Sequence, residues 1–525
     1  MKKVAIYDTS LRDGSQTEGI SYSLKDKINI AQRLDDFGVN FIEGGWPFSN
    51  SKDTEFFAHF KKHPLKISKL VPFGSTAHPV NPASKDKNLL SLIAAGTEYV
   101  TIFGKTWNLH VTEVLKIKLE DNLKMIRDSV EFLKKEGKKV FYDAEHFFDG
   151  YKANPEYALK TVSTAKELGA DLIIFCDTNG GTLPWEIERI SQEAMKKLSL
   201  EGFGMHCHND LGLGVANSLV CVDKGCVHIQ GTINGYGERC GNADLVSIMG
   251  TLQLKMGHQI VSSAKMKELT KLSHFVSEVS NMAQRPGYPF TGRSAFAHKG
   301  GIHIDAVIKN PLAYEHIDPE VVGNNRKFVV SELAGKSTLV AKAKELEFDL
   351  DKKSDQAKEM HKLLQRLEKE GYQFEAAEGS FKLLLYKNFK QHKTFFDLLG
   401  FKVSVEKRQD NQLISEATIK LEIKGNIEHT ASEGDGPVNA LDNALRKALS
   451  KFYPAISKMH LTDFKVRVLD EKSGTAAKVR VLIQSQDEKD SWSTIGVSEN
   501  VIEASWQALT DSVEYKLLKD RNWIR

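Results

Sequence analysis

The sequence predicts an α/β chain built on a (β/α)8 TIM barrel, followed by a mainly helical connector and a C-terminal α+β module of two βββα repeats. Short runs rich in Val, Ile, Phe and Tyr recur through the first half, starting at Val4, Phe41, Lys69, Tyr99, Lys139, Leu172, Gly204 and His228. Amphipathic stretches separate them. Ile28, Ala31, Leu34 and Phe37 share a helical face within Leu24 to Phe37, and Ala158, Val162 and Ala165 do so within Asn154 to Leu168. Polar residues with chemical potential follow at least five of the eight runs. A ring of loops accommodates that better than the single crevice of a doubly wound sheet.

The barrel is expected over residues 1–268, the connector over 269–378 and the terminal module over 379–525. After about Lys265 the strand–helix rhythm stops. Gln284-Arg285-Pro286-Gly287-Tyr288-Pro289 opens a looped stretch that contains His298-Lys299-Gly300-Gly301-Ile302-His303. From Leu339 to Glu370 charged residues dominate a helical pattern, which reads as a solvated face or an oligomer contact. The repeat lies further on: Phe401-Lys402-Val403-Ser404-Val405 returns as Phe464-Lys465-Val466-Arg467-Val468. Alternating strands follow each copy (Ala417 to Ile423, Ala477 to Ile483), then helices in which Ala440, Ala444 and Leu445 match Ala504, Ala508 and Leu509. Each unit leaves one sheet face open, to be covered within the chain or between chains.

With 525 residues the chain is too long for one core. Lys and Arg number 72 against 69 Asp and Glu, a formal charge of +3, and the basic residues are scattered. That pattern favours neither nucleic acid nor an acidic membrane surface, and points to small-molecule partners. Five cysteines without a CxxC pair fit a reducing cytosol better than a disulfide framework. Met1-Lys2-Lys3-Val4 opens no apolar leader, and no run reaches the roughly 20 apolar residues of a membrane span. The expected location is cytoplasmic.

Three loops carry the chemistry. Thr9-Ser10-Leu11-Arg12-Asp13-Gly14 follows the first strand, His206-Cys207-His208-Asn209-Asp210 ends the seventh, and Gly237-Glu238-Arg239-Cys240-Gly241-Asn242 follows the eighth. His206 and His208 are two apart, so on a strand both side chains leave one face and can share a cation; two hydrogen-bonded histidines are the plainer alternative. Asp13 and Asn242 would add two oxygens, a donor set suited to Mg2+, Mn2+ or an expanded Zn2+ shell. Arg12 either faces a developing alkoxide or simply pairs with a carboxylate. Glu145 and Thr178 end the fifth and sixth strands, as ligand contacts or as satisfied loop residues. The glycines of Gly235-Tyr236-Gly237-Glu238-Arg239-Cys240-Gly241 have the wrong spacing for a dinucleotide fingerprint, so nicotinamide binding is discounted. Cys207 and Cys240 read as packing residues.

The Leu11-Arg12-Asp13-Gly14 run, His206 to Asp210, Gly237-Glu238-Arg239 with Asn242, and His303 together resemble the acetyl-CoA-dependent Claisen synthases of the DRE-TIM metallolyase group. That family includes 2-isopropylmalate, homocitrate and citramalate synthases. Phe41 to Pro47, Glu145 to Gly150, Gln230 to Cys240 and Tyr314 to Pro319 look most like its citramalate branch. The resemblance implies condensation of acetyl-CoA, as co-substrate, with pyruvate and water to give (R)-citramalate and CoA, on the way to isoleucine. It implies a divalent metal on Asp13, His206, His208 and Asn242, and Arg12 on the growing alkoxide. Thr178 would hold the acceptor carboxylate. His303 would be the base, assisted by Glu145 and Tyr314, while His298 shapes the loop. Phe73, Phe103 and Asp143 would size the acceptor pocket, their bulk favouring pyruvate's methyl group.

The terminal module resembles the LeuA-type allosteric dimerisation domain. It implies a homodimer and a branched-chain amino acid effector, isoleucine foremost, near Gly434, Asp435, Gly436, Gly496 and Ser498; a dimer clamp with no effector is the plainer alternative. Sister synthases acting on other 2-oxo acids remain alternatives. A hydroxymethylglutaryl-CoA-type lyase is disfavoured because no Gly-Gly-Cys-Pro loop is present, and a non-catalytic sensor because Arg12 and every metal ligand are retained.

Overall fold

The computed structural model describes residues 4–329, 336–345, 348, 350–351, 354–388, 394–469, 477–488 and 490–520. Met1, Lys2 and Lys3 lie outside the described residues, as do parts of the Leu339 to Glu370 stretch. The chain forms two compact units, 1–296 with 317–326 and 297–316 with 327–525.

The first unit is a closed barrel of eight parallel strands. They are β1 (Ala5–Asp8), β2 (Phe41–Gly45), β3 (Lys69–Ser75), β4 (Tyr99–Lys105), β5 (Lys139–Glu145), β6 (Leu172–Asp177), β7 (Phe203–Cys207) and β8 (Cys226–Gly231). Closure comes from β1, which pairs with β2 at Tyr7↔Phe41 and with β8 at Ala5↔His228. Five strands begin at the residue read from the pattern, and the other three begin one or two residues earlier or later. The helix Leu24–Phe37 starts where Ser23 and Asp26 satisfy each other's backbone N–H, and stops at Gly38, whose φ of 104° suits glycine. Helix Pro155–Glu167 has Asn154 as its cap and proline at its first turn. Ala158, Val162 and Ala165 are fully buried against the barrel.

Alternation along the strands stacks the barrel interior in layers. The lower layer is aromatic. Phe141 meets Phe41 and Tyr99 at 5.2 Å between centroids, and Tyr7 meets His228 at 5.1 Å. Two residues further along each strand the layer turns polar, with Glu43, Thr101, Asp143, His206 and Gln230, all buried. The rings plug the barrel, so its chemistry opens only toward the C-terminal ends of the strands.

The second unit has its own core. Within it, helices Lys336–Glu345 and Asp355–Glu370 bury a narrow stripe (Leu339, Ala343, Ala357, Met360, Leu364), which is why their charged residues dominate the sequence. The terminal module is the expected pair of βββα units. Strands Asp397–Lys407, Leu413–Ile423 and Asn426–Gly434 precede helix Pro437–Leu449, and His460–Val468, Val479–Gln486 and Ser491–Ser498 precede Val501–Asp520. Even the irregularity is repeated, at Leu398/Gly400 and Leu461/Asp463. The helices cover one face of each sheet, while Val405, Phe464, Val466 and Val468 remain exposed on the outer strands. Among the described residues no helix is long and apolar enough to cross a membrane.

His228 carries a measurable signature of the plug. Its Nε2 is buried without a hydrogen-bond partner, and burial pushes its pKa down to about 3. Between its ordinary 6.5 and about 3 the unfolded chain therefore binds a proton that the folded chain refuses, so stability rises with pH across that window. In His228→Phe this slope flattens by up to about 1.4 kcal/mol per pH unit. Urea unfolding followed across the window reads it, and an unchanged slope would mean that His228 is hydrated in the fold.

Candidate metal centre

Asp13 is delivered by a tight turn beyond β1. Arg12 N and Gly14 N both donate to Thr9 O, at 3.2 and 3.0 Å. The turn is tied down by Asp8, which accepts from Ser10 N and Oγ, and by Ser10 Oγ, which accepts from Ile233 N at 2.8 Å. His206 lies within β7 and His208 one residue past its end, so strand alternation points both into the mouth. An isolated bridge between His208 and Asn242 brings in the fourth residue. Gly237 makes room for it: a Cβ there would overlap Asn242 Oδ1.

Ligand atoms of Asp13, His206 and His208 lie within 4.8 Å of one another, all three residues buried. Asn242 Nδ2 donates to Asp13 Oδ2 at 2.8 Å, and His206 Nε2 stands 3.3 Å from the same oxygen. Two buried atoms of the set, His208 Nδ1 and Asn242 Oδ1, have no hydrogen-bond partner. Exchanging the amide O and N of Asn242 keeps its shape and turns an acceptor oxygen to the cluster. The residues therefore fit a divalent cation with two nitrogen and two oxygen donors.

Protonation states agree. Burial works against the Asp13 carboxylate, but Arg12, then His206 and His208, outweigh it and hold its pKa down to about 2. Burial lowers His206, and burial with His206 beside it lowers His208 to about 4. An ionised carboxylate and two neutral imidazoles are the forms that bind metal.

Gln230, which the sequence offered only as part of a longer segment, orients the first histidine. Its Nε2 donates to Asp143 Oδ1 at 3.1 Å, leaving Oε1 to accept from His206 Nδ1 at 2.9 Å. That fixes the proton on Nδ1 and frees Nε2 for the cluster. Gln230 sits opposite His206 in the β7–β8 register.

Arg12 pairs with two carboxylates. Its Nε meets Glu43 Oε1 at 2.5 Å, a terminal nitrogen meets Asp13 at 3.2 Å, and the guanidinium lies 3.7 Å over the Phe73 ring. Glu43 also accepts from Tyr7 OH at 2.7 Å. Nothing in the local pattern assigns Glu43 this task. Phe73 and Phe103, two of the three residues expected to size the pocket, stack at 5.4 Å, and Trp46 lies edge-on to both. Asp143, opposite Phe103 in the β4–β5 register, is buried, its carboxyl pushed well above the ordinary range by burial and by Glu43. A cavity of about 270 Å³ beside Arg12 is lined by Gln16, Tyr22, Lys27, Trp46 and Asp53 among others.

Glu145 ends β5 and pairs with Lys105. Thr178 Oγ1 accepts from His146 N at 2.9 Å, which leaves its hydroxyl proton free to donate. His303 and Tyr314 belong to the second unit, where their rings stack at 4.2 Å on an exposed surface. His298 instead pairs with buried Glu315 at 3.0 Å. Cys207 packs in the core, but Cys240 corrects the expectation that both cysteines would: the chain turns outward at Arg239, whose φ is 56°, and leaves Cys240 exposed. In the terminal module Gly434 ends a strand and Gly436 caps helix Pro437–Leu449, while Asp435 N is taken by Asn439 Oδ1. Gly496 lies inside a strand, tight against Ala504, and Ser498 ends it, accepting from Asn500 N.

Three family models match the chain: HMGL-like over residues 3–276, a homocitrate synthase post-HMGL domain-like segment over 290–371, and a LeuA allosteric (dimerisation) domain over 375–517. The chain is 54% identical over 520 residues to an (R)-citramalate synthase of Aquifex aeolicus, covering 99% of this chain and 98% of that one. It is 51% identical to the (R)-citramalate synthase of Geobacter sulfurreducens, with the same coverage. To the 2-isopropylmalate synthase of Methanocaldococcus jannaschii it is 30% identical over 98% of this chain and 95% of that one.

Gln230→Leu removes the group that holds His206 and should weaken metal affinity by about 10–100-fold. Isothermal titration of the metal-free protein with Zn2+ or Mn2+ measures this, and affinity within twofold of the parent would remove Gln230 from the site.

Proposed function

The chain belongs to the (R)-citramalate synthases of the HMGL-like family, and we propose that its barrel mouth joins the acetyl methyl carbon of acetyl-CoA to the keto carbon of pyruvate. Water then cleaves the thioester, giving (R)-citramalate and free CoA, so the protein is an acyltransferase that converts acyl to alkyl on transfer. The observation that carries this reading is the buried Asp13, His206 and His208 cluster beside a pinned Arg12, in a chain alike from end to end to (R)-citramalate synthases.

Asp13, His206, His208 and Asn242 would hold a divalent cation, which would supply Lewis-acid polarisation of the acceptor's keto group; Mg2+, Mn2+ and Zn2+ all suit the donor set. Arg12 faces the negative charge that grows on the keto oxygen, a role where losing one donor typically costs about 3 kcal/mol of barrier. Its two carboxylate partners and the Phe73 ring hold it in place without a reorganisation step. Thr178 offers its free hydroxyl proton to the acceptor carboxylate. Phe73, Phe103 and Trp46 wall the space for the acceptor's alkyl group, where a methylene-scale difference gives roughly 1–3 kcal/mol of discrimination.

His303, helped by the stacked Tyr314, is the proposed base for the methyl proton, and Glu145 is a proposed acid–base residue at the end of β5. This reading assigns the barrel chemistry to residues 1–268, the base to 269–378 and regulation to 379–525. The LeuA module supports assembly, which we read as a homodimer closed over the exposed stripe of Phe464, Val466 and Val468. Isoleucine is the proposed effector. Five free thiols support a reducing cytoplasm.

Thiol release from acetyl-CoA, with pyruvate, 2-oxobutyrate, 2-oxoisovalerate and 2-oxoglutarate offered separately, tests the proposal. Pyruvate-dependent release with citramalate formed is expected, and preference for a larger acceptor would move the chain to a sister synthase. In the same assay His303→Ala lowers turnover by about 10²–10⁴-fold with pyruvate affinity retained. Lost affinity with chemistry intact would reassign His303. Added isoleucine slows the full chain, and an unaffected rate would leave the terminal module as a dimer clamp.

A further inference from the structure

Arg239 serves neither the ligand set nor the proposed chemistry, yet its guanidinium makes three hydrogen bonds. Nε and Nη2 fork onto the two oxygens of Asp210 at 2.8 and 2.9 Å, and Nη2 also donates to Thr178 O at 2.8 Å. These contacts tie the loop after β8 to those after β7 and β6. Thr178 Oγ1 in turn accepts from His146 N, which extends the tie to the loop after β5 and to the residue next to Glu145.

The backbone is shaped for this. Arg239 adopts a left-handed φ of 56°, unusual for a residue with a Cβ and sustained only where neighbours fix it. Gly180, with φ 60°, lets the β6 loop close onto Asp210, whose backbone N and carboxylate occupy the place a Cβ would take. Leu211 N donates to Gly180 O at 3.2 Å, and Asn209 N to Gly241 O at 2.9 Å. The Arg239 and Asp210 side chains are 43% and 24% exposed, so the pair adds little to global stability. Its leverage is geometric: Asp210 stands two residues after His208, and Arg239 three residues before Asn242.

We propose that Arg239 and Asp210 are positioning residues, a clasp that sets the spacing between His208 and Asn242 and holds Thr178 in place. The part concerning Thr178 rests on the acceptor-carboxylate role proposed above; the part concerning the ligands does not. A planar fork is required, so lysine is no substitute.

The test uses the full chain carrying Arg239→Gln, Asp210→Asn, both together, Arg239→Lys, and separately Thr178→Ala. Zn2+ affinity of the metal-free protein is measured by isothermal titration, alongside KM for pyruvate and for acetyl-CoA and the melting temperature. Each single clasp variant should weaken Zn2+ binding by at least about fivefold and raise pyruvate KM by about tenfold, with acetyl-CoA KM and melting temperature little changed. The double variant should be no worse than the worse single one, and Arg239→Lys should not restore the parent values. Zn2+ affinity within twofold of the parent in a folded Arg239→Gln protein, or additive losses in the double variant, would overturn the clasp. If Thr178→Ala leaves pyruvate KM unchanged while the coupled loss of Zn2+ affinity persists, the Thr178 reading fails and the clasp stands.

Discussion

A buried guanidinium between two buried carboxylates is the constraint around which the barrel mouth is built. The Arg12 side chain is only 15% exposed, and an unpaired charge there would be destabilising. Asp13 and Glu43 make it tolerable, and in return it holds Asp13 ionised although burial pulls the other way. Glu43 has a second anchor in Tyr7 of β1, whose hydroxyl also touches Thr101 of β4, so the pair is tied to one further strand. Nearby Asp143 has no cation of its own and is pushed toward its neutral form. Three carboxyl groups, those of Asp13, Glu43 and Asp143, thus share the mouth with one guanidinium.

The layering of the interior places this cluster. Beneath it the interlocked rings of Phe41, Tyr99 and Phe141 fill the barrel as a packed solid. Side chains above them have one direction in which to face a ligand. The polar layer is held in turn by cross-strand hydrogen bonds, so the aromatic and polar layers specify one arrangement together.

Much of this was legible in the sequence, for definite physical reasons. Strand starts at Phe41, Lys69, Tyr99, Lys139 and Leu172 were visible because β-branched and aromatic runs end sharply at turn residues. The shared face of His206 and His208 follows from the two-residue period of a strand. The terminal repeat was visible because both copies face the same demand, one sheet side against one helix. What could not be read depends on register between strands distant in sequence. Gln230 reaches His206 only because β8 lies beside β7 in one particular alignment, and Glu43 meets Arg12 only because β2 follows β1 around the ring. Trp46 and the clasp of Arg239 are likewise products of closure. The outward turn that exposes Cys240 depends on a left-handed residue, which no composition rule marks.

The bare Cα of Gly237 gives a way to judge distant descendants of this chain. The Asn242 side chain fills the space that any larger residue at 237 would need, so the two positions form one steric unit. A divergent sequence could keep Asp13, both histidines and the asparagine and still have lost its cradle through one added methyl group. Inventories of ligands would score such a barrel as intact; the glycine is the better witness.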